Sequence, residues 1–220
     1  MITQYPNGLQ QILLTQTAER LLVVSHRRAG LTLGLIMESL EFLEKVPGAE
    51  IHFITPHQSQ LTEVTRYFDN TVRSRPFTYL QLQASCDPPV PTRRFKNGSI
   101  IRFSSHANQE DLLDLSPSSP THLIIDNALY FPEGAIEETF MHYESRNVGG
   151  HIVRVGTSLP TSSFEAPWFD RIPNSTSWES LTFPVTHARS DVHVSRFDSL
   201  RNQLSTRVWE AEYLCHRIRN

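Results

Sequence analysis

Short apolar runs alternate along this chain with amphipathic stretches, and the alternation itself predicts the fold. Residues 21–24, Leu-Leu-Val-Val, are continuously apolar, as expected of a strand buried on both faces. Residues 33–45 follow with Leu33, Leu35, Ile36, Leu40 and Leu43 at helical spacing and Glu38, Glu41, Glu44 and Lys45 on the wet side. That helix stops at Pro47-Gly48. Residues 51–55 predict a second strand, closed by Pro56, and residues 59–67 a second helix with Leu61, Val64 and Phe68 inward. Residues 121–125 and 151–156 predict two more strands, with a helix over 133–143 between them. A short helix over 10–18 precedes the first strand, and 183–186 form a last one. Residues 194–218 are one amphipathic segment holding Phe197, Leu200, Leu204, Val208, Trp209 and Leu214.

The middle departs from this rhythm. Residues 73–94 carry Pro76, Pro88, Pro89 and Pro91 and read as an irregular or partly extended excursion. Residues 95–103 form a hairpin around Asn97-Gly98, a pair suited to a tight turn. A brief helix over 111–115 and a turn-rich spacer over 116–120 complete the stretch. Strand and helix alternating in this way predict an α/β fold: a mainly parallel sheet flanked by helices, with a β-hairpin excursion, in a single domain over 1–220.

Composition narrows the function classes. With 20 Lys and Arg against 23 Asp and Glu, the formal charge is −3, so no strong global field draws the chain to nucleic acid or an anionic membrane. Its apolar runs are too short to span a bilayer, and the first eight residues lack the regions of a signal peptide, which predicts a cytoplasmic protein. Cys86 and Cys215 give neither a disulfide framework nor metal spacing, and the ten histidines show no ligand spacing. No Gly-x-Ser-x-Gly elbow supports Ser-His-Asp chemistry. Any polyanion contact would have to use a local patch, Arg27 with Arg28 or Arg93, Arg94 and Lys96, although a short basic pair such as Arg93-Arg94 is usually a solvated face.

The chemistry concentrates where the first strand meets its helix. Ser25-His-Arg-Arg-Ala-Gly-Leu-Thr32 lies in the frame of a phosphate-binding loop, whose usual sequence is Gly, four residues, Gly, Lys, then Ser or Thr. Such a loop faces backbone N–H groups and a helix N-terminus toward an anion. Here Ser25 takes the place of the first Gly and Leu31 that of the Lys. About a hundred residues on, the strand His-Leu-Ile-Ile-Asp ends in Asp126, placed as an acid that holds Mg²⁺ in phosphoryl-transfer enzymes. The segment Gly156-Thr157-Ser158 ends the next strand at the same sheet edge. On the residues alone, the first stretch reads equally as an ordinary βα turn, and Asp126-Asn127 as a strand end entering a loop.

Taken in order, these segments resemble the ATPase domain of the tailed-phage terminase large subunit, a P-loop NTPase. The resemblance rests on Gln10 or Gln11 before the first strand, Arg27 to Thr32, and Phe53-Ile-Thr-Pro56. It continues through residues 95–103, the Asp126 strand, Gly156-Thr-Ser-Leu-Pro160 and Trp209-Glu-Ala-Glu-Tyr213. It implies a nucleotide-contacting set of Gln10, Ser25, Arg28, Ala29, Gly30, Leu31 and Thr32, with Gln10 or Gln11 on the adenine side. It also implies Thr32 and Asp126 as Mg²⁺ ligands, and Thr157 in the segment coupling hydrolysis to motion. DNA and packaging proteins such as the portal, the small terminase and a nuclease subunit are the implied partners, with an oligomer possible and no membrane. The family's large subunit usually continues into a nuclease domain, and the expectation is a single ATPase-like domain without it.

Two departures alter the implied chemistry. Leu31 stands where the family has Lys, and Asn127 where it has the Glu that orients or deprotonates the attacking water. Loss of one charge-stabilising donor costs roughly a hundredfold in rate, and loss of the base about 10²–10⁴-fold. The expectation is a degenerate site with ATP hydrolysis lost or strongly reduced, ATP and Mg²⁺ bound weakly or not at all, and a binding or assembly role. The alternatives are an active packaging ATPase completed by Arg27, Arg28 or a neighbouring subunit, with Glu133 or Glu138 reaching water, and a protein-interaction scaffold with no nucleotide.

Overall fold

The computed structural model describes residues 8–74, 91–105, 122–132, 134–146, 152–161, 166–172, 175–187, 199 and 201–217, with backbone only for 141–146. Helix α1 (Gly8–Thr15) leads into β1 (Arg20–Ser25), α2 (Leu31–Lys45), β2 (Glu50–Thr55) and α3 (Gln58–Ser74). Next come β3 (Thr92–Arg94), β4 (Ile100–Ser105), β5 (His122–Asp126), α4 (Ala135–Arg146), β6 (Ile152–Thr157), α5 (Pro167–Arg171) and β7 (Glu179–Phe183). An α-turn, Thr206–Val208, runs on into a π-helical turn, Trp209–Tyr213.

The strands form one sheet in the order β3-β4-β2-β5-β6-β1-β7. Every pairing is parallel except β3 with β4. Because successive strand residues face opposite sides, each buried strand feeds two cores. Leu21, Val23, Phe53, Phe103 and Ile124 pack under α1, α2 and α3. Leu22, Val24, Leu123, Ile125 and Val155 pack against Ile136 of α4 and Trp168 of α5.

Several boundaries differ from expectation, and each has a local cause. Helix α1 begins at Gly8 and ends at Thr15, whose hydroxyl turns back to Gln11 O (3.0 Å) and Ile12 O (3.1 Å). α2 begins at Leu31, two residues early, because Gly30 takes a left-handed N-cap conformation at φ 79°. α3 continues to Ser74, where Asp69 grips Arg93 of β3 at 2.8 and 2.9 Å. The hairpin is present, with Gly98 at φ 85°, and its first strand is Thr92–Arg94, the extended end of the stretch read as irregular or partly extended. The last strand lies at Glu179–Phe183 rather than 183–186, and Val185–His187 are a 3-10 turn. Residues 111–115 and 116–120 lie outside the described residues.

A buried ion pair fixes α2 to the sheet. Arg154 Nε of β6 donates to Glu38 Oε1 at 2.6 Å, and its Nη1 donates to Ala18 O at 2.8 Å. Burial pushes the Glu38 carboxyl upward while the Arg154 charge opposes that shift. His122 of β5 is buried nearby with its ring edge-on to Phe42, and burial and the Arg154 charge both push its pKa well down. Among the described residues neither His122 ring nitrogen has a hydrogen-bond partner.

Candidate functional site

The carboxyl ends of β1, β6 and β5 meet at one sheet edge, where Val23 and Asp126 both pair with Gly156. β1 ends at Ser25, buried, with its hydroxyl turned to His26 O (3.4 Å). The chain then turns tightly. His26 N–H donates to Phe183 O (2.9 Å), Arg27 N–H to Glu212 O (2.6 Å) and Ala29 N–H to His26 O (3.1 Å). Arg28 has φ 67° and Gly30 φ 79°. Glycine adopts that conformation freely, whereas Arg28 holds about 1–2 kcal/mol of local strain.

The first i→i−4 bond of α2 runs from Gly34 N–H to Gly30 O at 2.9 Å. The N–H groups of Leu31, Thr32 and Leu33 therefore precede any intrahelical acceptor. With the helix dipole behind them, they form a positive end that suits a phosphate. Opposite stands Asp126 at the end of β5. The Thr32 hydroxyl donates to Asp126 Oδ2 at 2.7 Å, and Asn127 Nδ2 donates to the same oxygen at 3.2 Å. Burial pushes the Asp126 carboxyl up to about 6, against the bonds from the Thr32 side chain and the Asn127 backbone. A charge buried with neutral donors alone is a place where a cation is favoured.

Leu31 and Asn127 have structural roles of their own. Leu31 belongs to the core under α1, α2 and α3 and lies over Gly156 of β6. Asn127 takes a left-handed turn at φ 57°, which Asn tolerates better than most residues, and leads into the 3-10 turn Ala128–Tyr130. Thr157 is buried, accepts from Leu129 N–H at 3.2 Å and donates to Ser158 O at 3.1 Å, so it ties that turn to β6.

A cleft of about 1030 Å³ opens above these groups. The loop from Ser25 to Leu33 lines one side, Asp126, Asn127 and Tyr130 the floor, and Gln60, Tyr67 and Asn70 of α3 another wall. Arg27 and Arg28 are both exposed on its rim. Arg27 Nη1 reaches both carboxylate oxygens of Glu212 at 2.9 Å, and that contact raises its pKa further. Gln10 is buried on α1, outside the cleft lining, and its Nε2 donates to Gly30 O at 3.3 Å. Among the described lining residues the carboxylates are Asp126 and Glu212. Glu138, on α4, is not one of them, and Glu133 lies outside the described residues.

The structure thus brings Ser25, Arg27 to Thr32, Asp126 and Asn127 to one cleft, and places Gln10 and Thr157 behind it as supports. Glu212 and the α3 wall were missed from sequence. Glu212 lies within the Trp209-Glu-Ala-Glu-Tyr213 motif, but its contact with Arg27 spans 185 positions and left no local signal. The α3 wall carries no motif.

No protein-family model matches the sequence, and no curated protein matches it. Solved structures do. The ATPase domain of the Thermus phage P74-26 large terminase aligns with 97% of this chain and 94% of its own, at 18% identity and a TM-score of 0.63. The HK97 bacteriophage large terminase aligns with 97% of this chain at 12% identity and a TM-score of 0.71, and this chain spans 51% of it. The large terminase of a thermophilic bacteriophage, solved in complex with ADP, aligns at 15% identity and a TM-score of 0.68 over 52% of its length. A further structure of that protein is a complex with ATP-γ-S. The chain has the fold of the large-terminase ATPase domain, and it spans about half the length of the whole large terminases it matches.

Proposed function

We propose that this chain is a terminase-type P-loop domain of viral DNA packaging that binds a nucleoside triphosphate and has lost, or nearly lost, its hydrolysis. One observation carries the reading. Thr32 and Asp126 stand in contact at 2.7 Å beneath a helix N-terminus with unspent N–H groups, while the neighbouring Leu31 side chain is packed into the core. The parts that bind polyphosphate are retained and the part that stabilises transferring charge is not.

In this reading the N–H groups of Leu31, Thr32 and Leu33 cradle the phosphates. Mg²⁺ fits the donor set, because a hydroxyl and a carboxylate are hard oxygen ligands and the ion needs few protein ligands beside phosphate and water. Thr32 and Asp126 would hold it, and the chemistry supplied there would be neutralisation of phosphate charge. Asn127 orients through its amide and takes no proton, so no base at that position deprotonates an attacking water. The complexes of a related fold with ADP and ATP-γ-S support the nucleotide class. The packaging role, with portal, small terminase, nuclease subunit or DNA as partners, follows the same fold.

A second reading, an active ATPase, is favoured by Arg28, which is exposed on the cleft rim where a guanidinium meets phosphate. Calorimetric titration with ATP·Mg²⁺ and a phosphate-release assay, with and without DNA, separate the two. Binding without release supports the first, release abolished by Arg28→Ala supports the second, and no binding contradicts both and leaves a scaffold.

A further inference from the structure

Gln10 matches a position expected beside an adenine, yet its side chain turns elsewhere. It is buried on α1 at 5% exposure, does not line the cleft, and donates through Nε2 to Gly30 O at 3.3 Å. The same carbonyl accepts from Gly34 N–H at 2.9 Å. Two donors from two helices therefore fix the direction of one peptide group, that joining Gly30 to Leu31. A trans peptide is planar, with its C=O and N–H pointing in opposite directions. With the carbonyl held toward α1 and into α2, the Leu31 N–H points out of the helix end, toward the cleft.

The contact is built closely. Gly34 lets α1 lie directly on α2: a Cβ there would stand 2.7 Å from Leu13 Cδ1 and 3.3 Å from Gln10 Cγ. The Gly30 conformation at φ 79° leaves the loop peptide with no side-chain cap of its own, so the brace comes from α1. Leu31 offers a ligand no charge, and its N–H is the one hydrogen-bond donor it has.

We propose that Gln10 is a positioning residue for the phosphate loop: by holding Gly30 O it aims the Leu31 N–H at a polyphosphate in the cleft, and its effect is independent of the base. The inference rests on the nucleotide-binding reading above and deepens it. A hydrogen bond of this kind has a net worth of about two- to tenfold in an equilibrium.

The test compares ATP·Mg²⁺ with inorganic tripolyphosphate·Mg²⁺ by calorimetry, on the wild type and on Gln10→Met, which keeps the volume and removes the donor. The expected result is a loss of about two- to tenfold for both ligands by the same factor. A loss for ATP alone assigns Gln10 to the base and overturns the inference, as does an unchanged affinity for both. Wild-type binding of neither ligand overturns this inference and the nucleotide reading together, so the two failures are distinguishable. Should Gln10→Met fold poorly, the amide NMR spectrum of the wild type titrated with tripolyphosphate decides. A large shift of the Leu31 N–H is expected, and a stationary Leu31 amide beside moving Thr32 and Leu33 amides contradicts it.

Discussion

Leu31 lies over Gly156 so closely that a methyl group on Gly156 would stand 3.1 Å from Leu31 Cδ2 and 3.3 Å from Leu31 Cγ. Leu31 is therefore a core residue, and the strand beneath it has a glycine where it passes. Gly156→Ala is expected to cost about 1–3 kcal/mol of stability through overpacking, read as a lower urea midpoint at unchanged slope. An unchanged midpoint would mean that Leu31 and Leu35, whose Cδ1 would stand 3.0 Å from the added methyl, are both free to give way.

Arg27 and Glu212 hold each other through both carboxylate oxygens at 2.9 Å, and the Arg27 N–H meets Glu212 O. A phosphate entering the cleft competes for the same guanidinium. Arg27 is well exposed, so the pair has the modest value of a surface bridge. Glu212→Gln is expected to tighten ATP·Mg²⁺ binding by about two- to fivefold, measured by calorimetry. Equal or weaker binding would show that Arg27 is not shared with the ligand.

Burial and the Arg154 charge push the His122 pKa well below its usual value. The unfolded chain then takes up a proton that the folded chain refuses, so this contribution to stability is complete above about pH 6.5 and is lost as the pH falls below it. His52, lowered mainly by burial, acts in the same direction. Glu38, raised mainly by burial, acts in the opposite one, since the folded chain holds that proton more tightly. His122→Leu is expected to reduce the fall in urea midpoint between pH 7 and pH 5 and to preserve stability at pH 7, because neither ring nitrogen loses a partner. An equal fall in the variant would assign acid sensitivity elsewhere.

Those apolar runs that became β1, β2, β5 and β6 were legible because a strand buried on both faces has few alternatives. The β1-turn-α2 unit around Ser25 to Thr32 was legible for the same local reason, as strand, turn and helix follow directly in sequence. What was hidden depended on contacts remote in sequence. Glu212 meets Arg27 across 185 positions, and Gln10 meets Gly30 from a separate helix. β7 pairs with β1, an exposed edge strand whose Glu-Ser-Leu-Thr-Phe pattern carries little apolar signal. Arg154 is a charged residue in a buried strand, and only the fold brings Glu38 to meet it.

The central claim is that the cleft keeps the frame of a phosphate site while two side chains have changed its chemistry. The most direct measurement is phosphate release from ATP·Mg²⁺ by the double variant Leu31→Lys with Asn127→Glu, beside the wild type. The lysine stem can follow the packing of Leu31 and carry its ammonium toward the cleft. The account predicts release at least tenfold above the wild type, since each restored group is worth about a hundredfold when well placed. A folded double variant that binds ATP and releases no more phosphate than the wild type would contradict it.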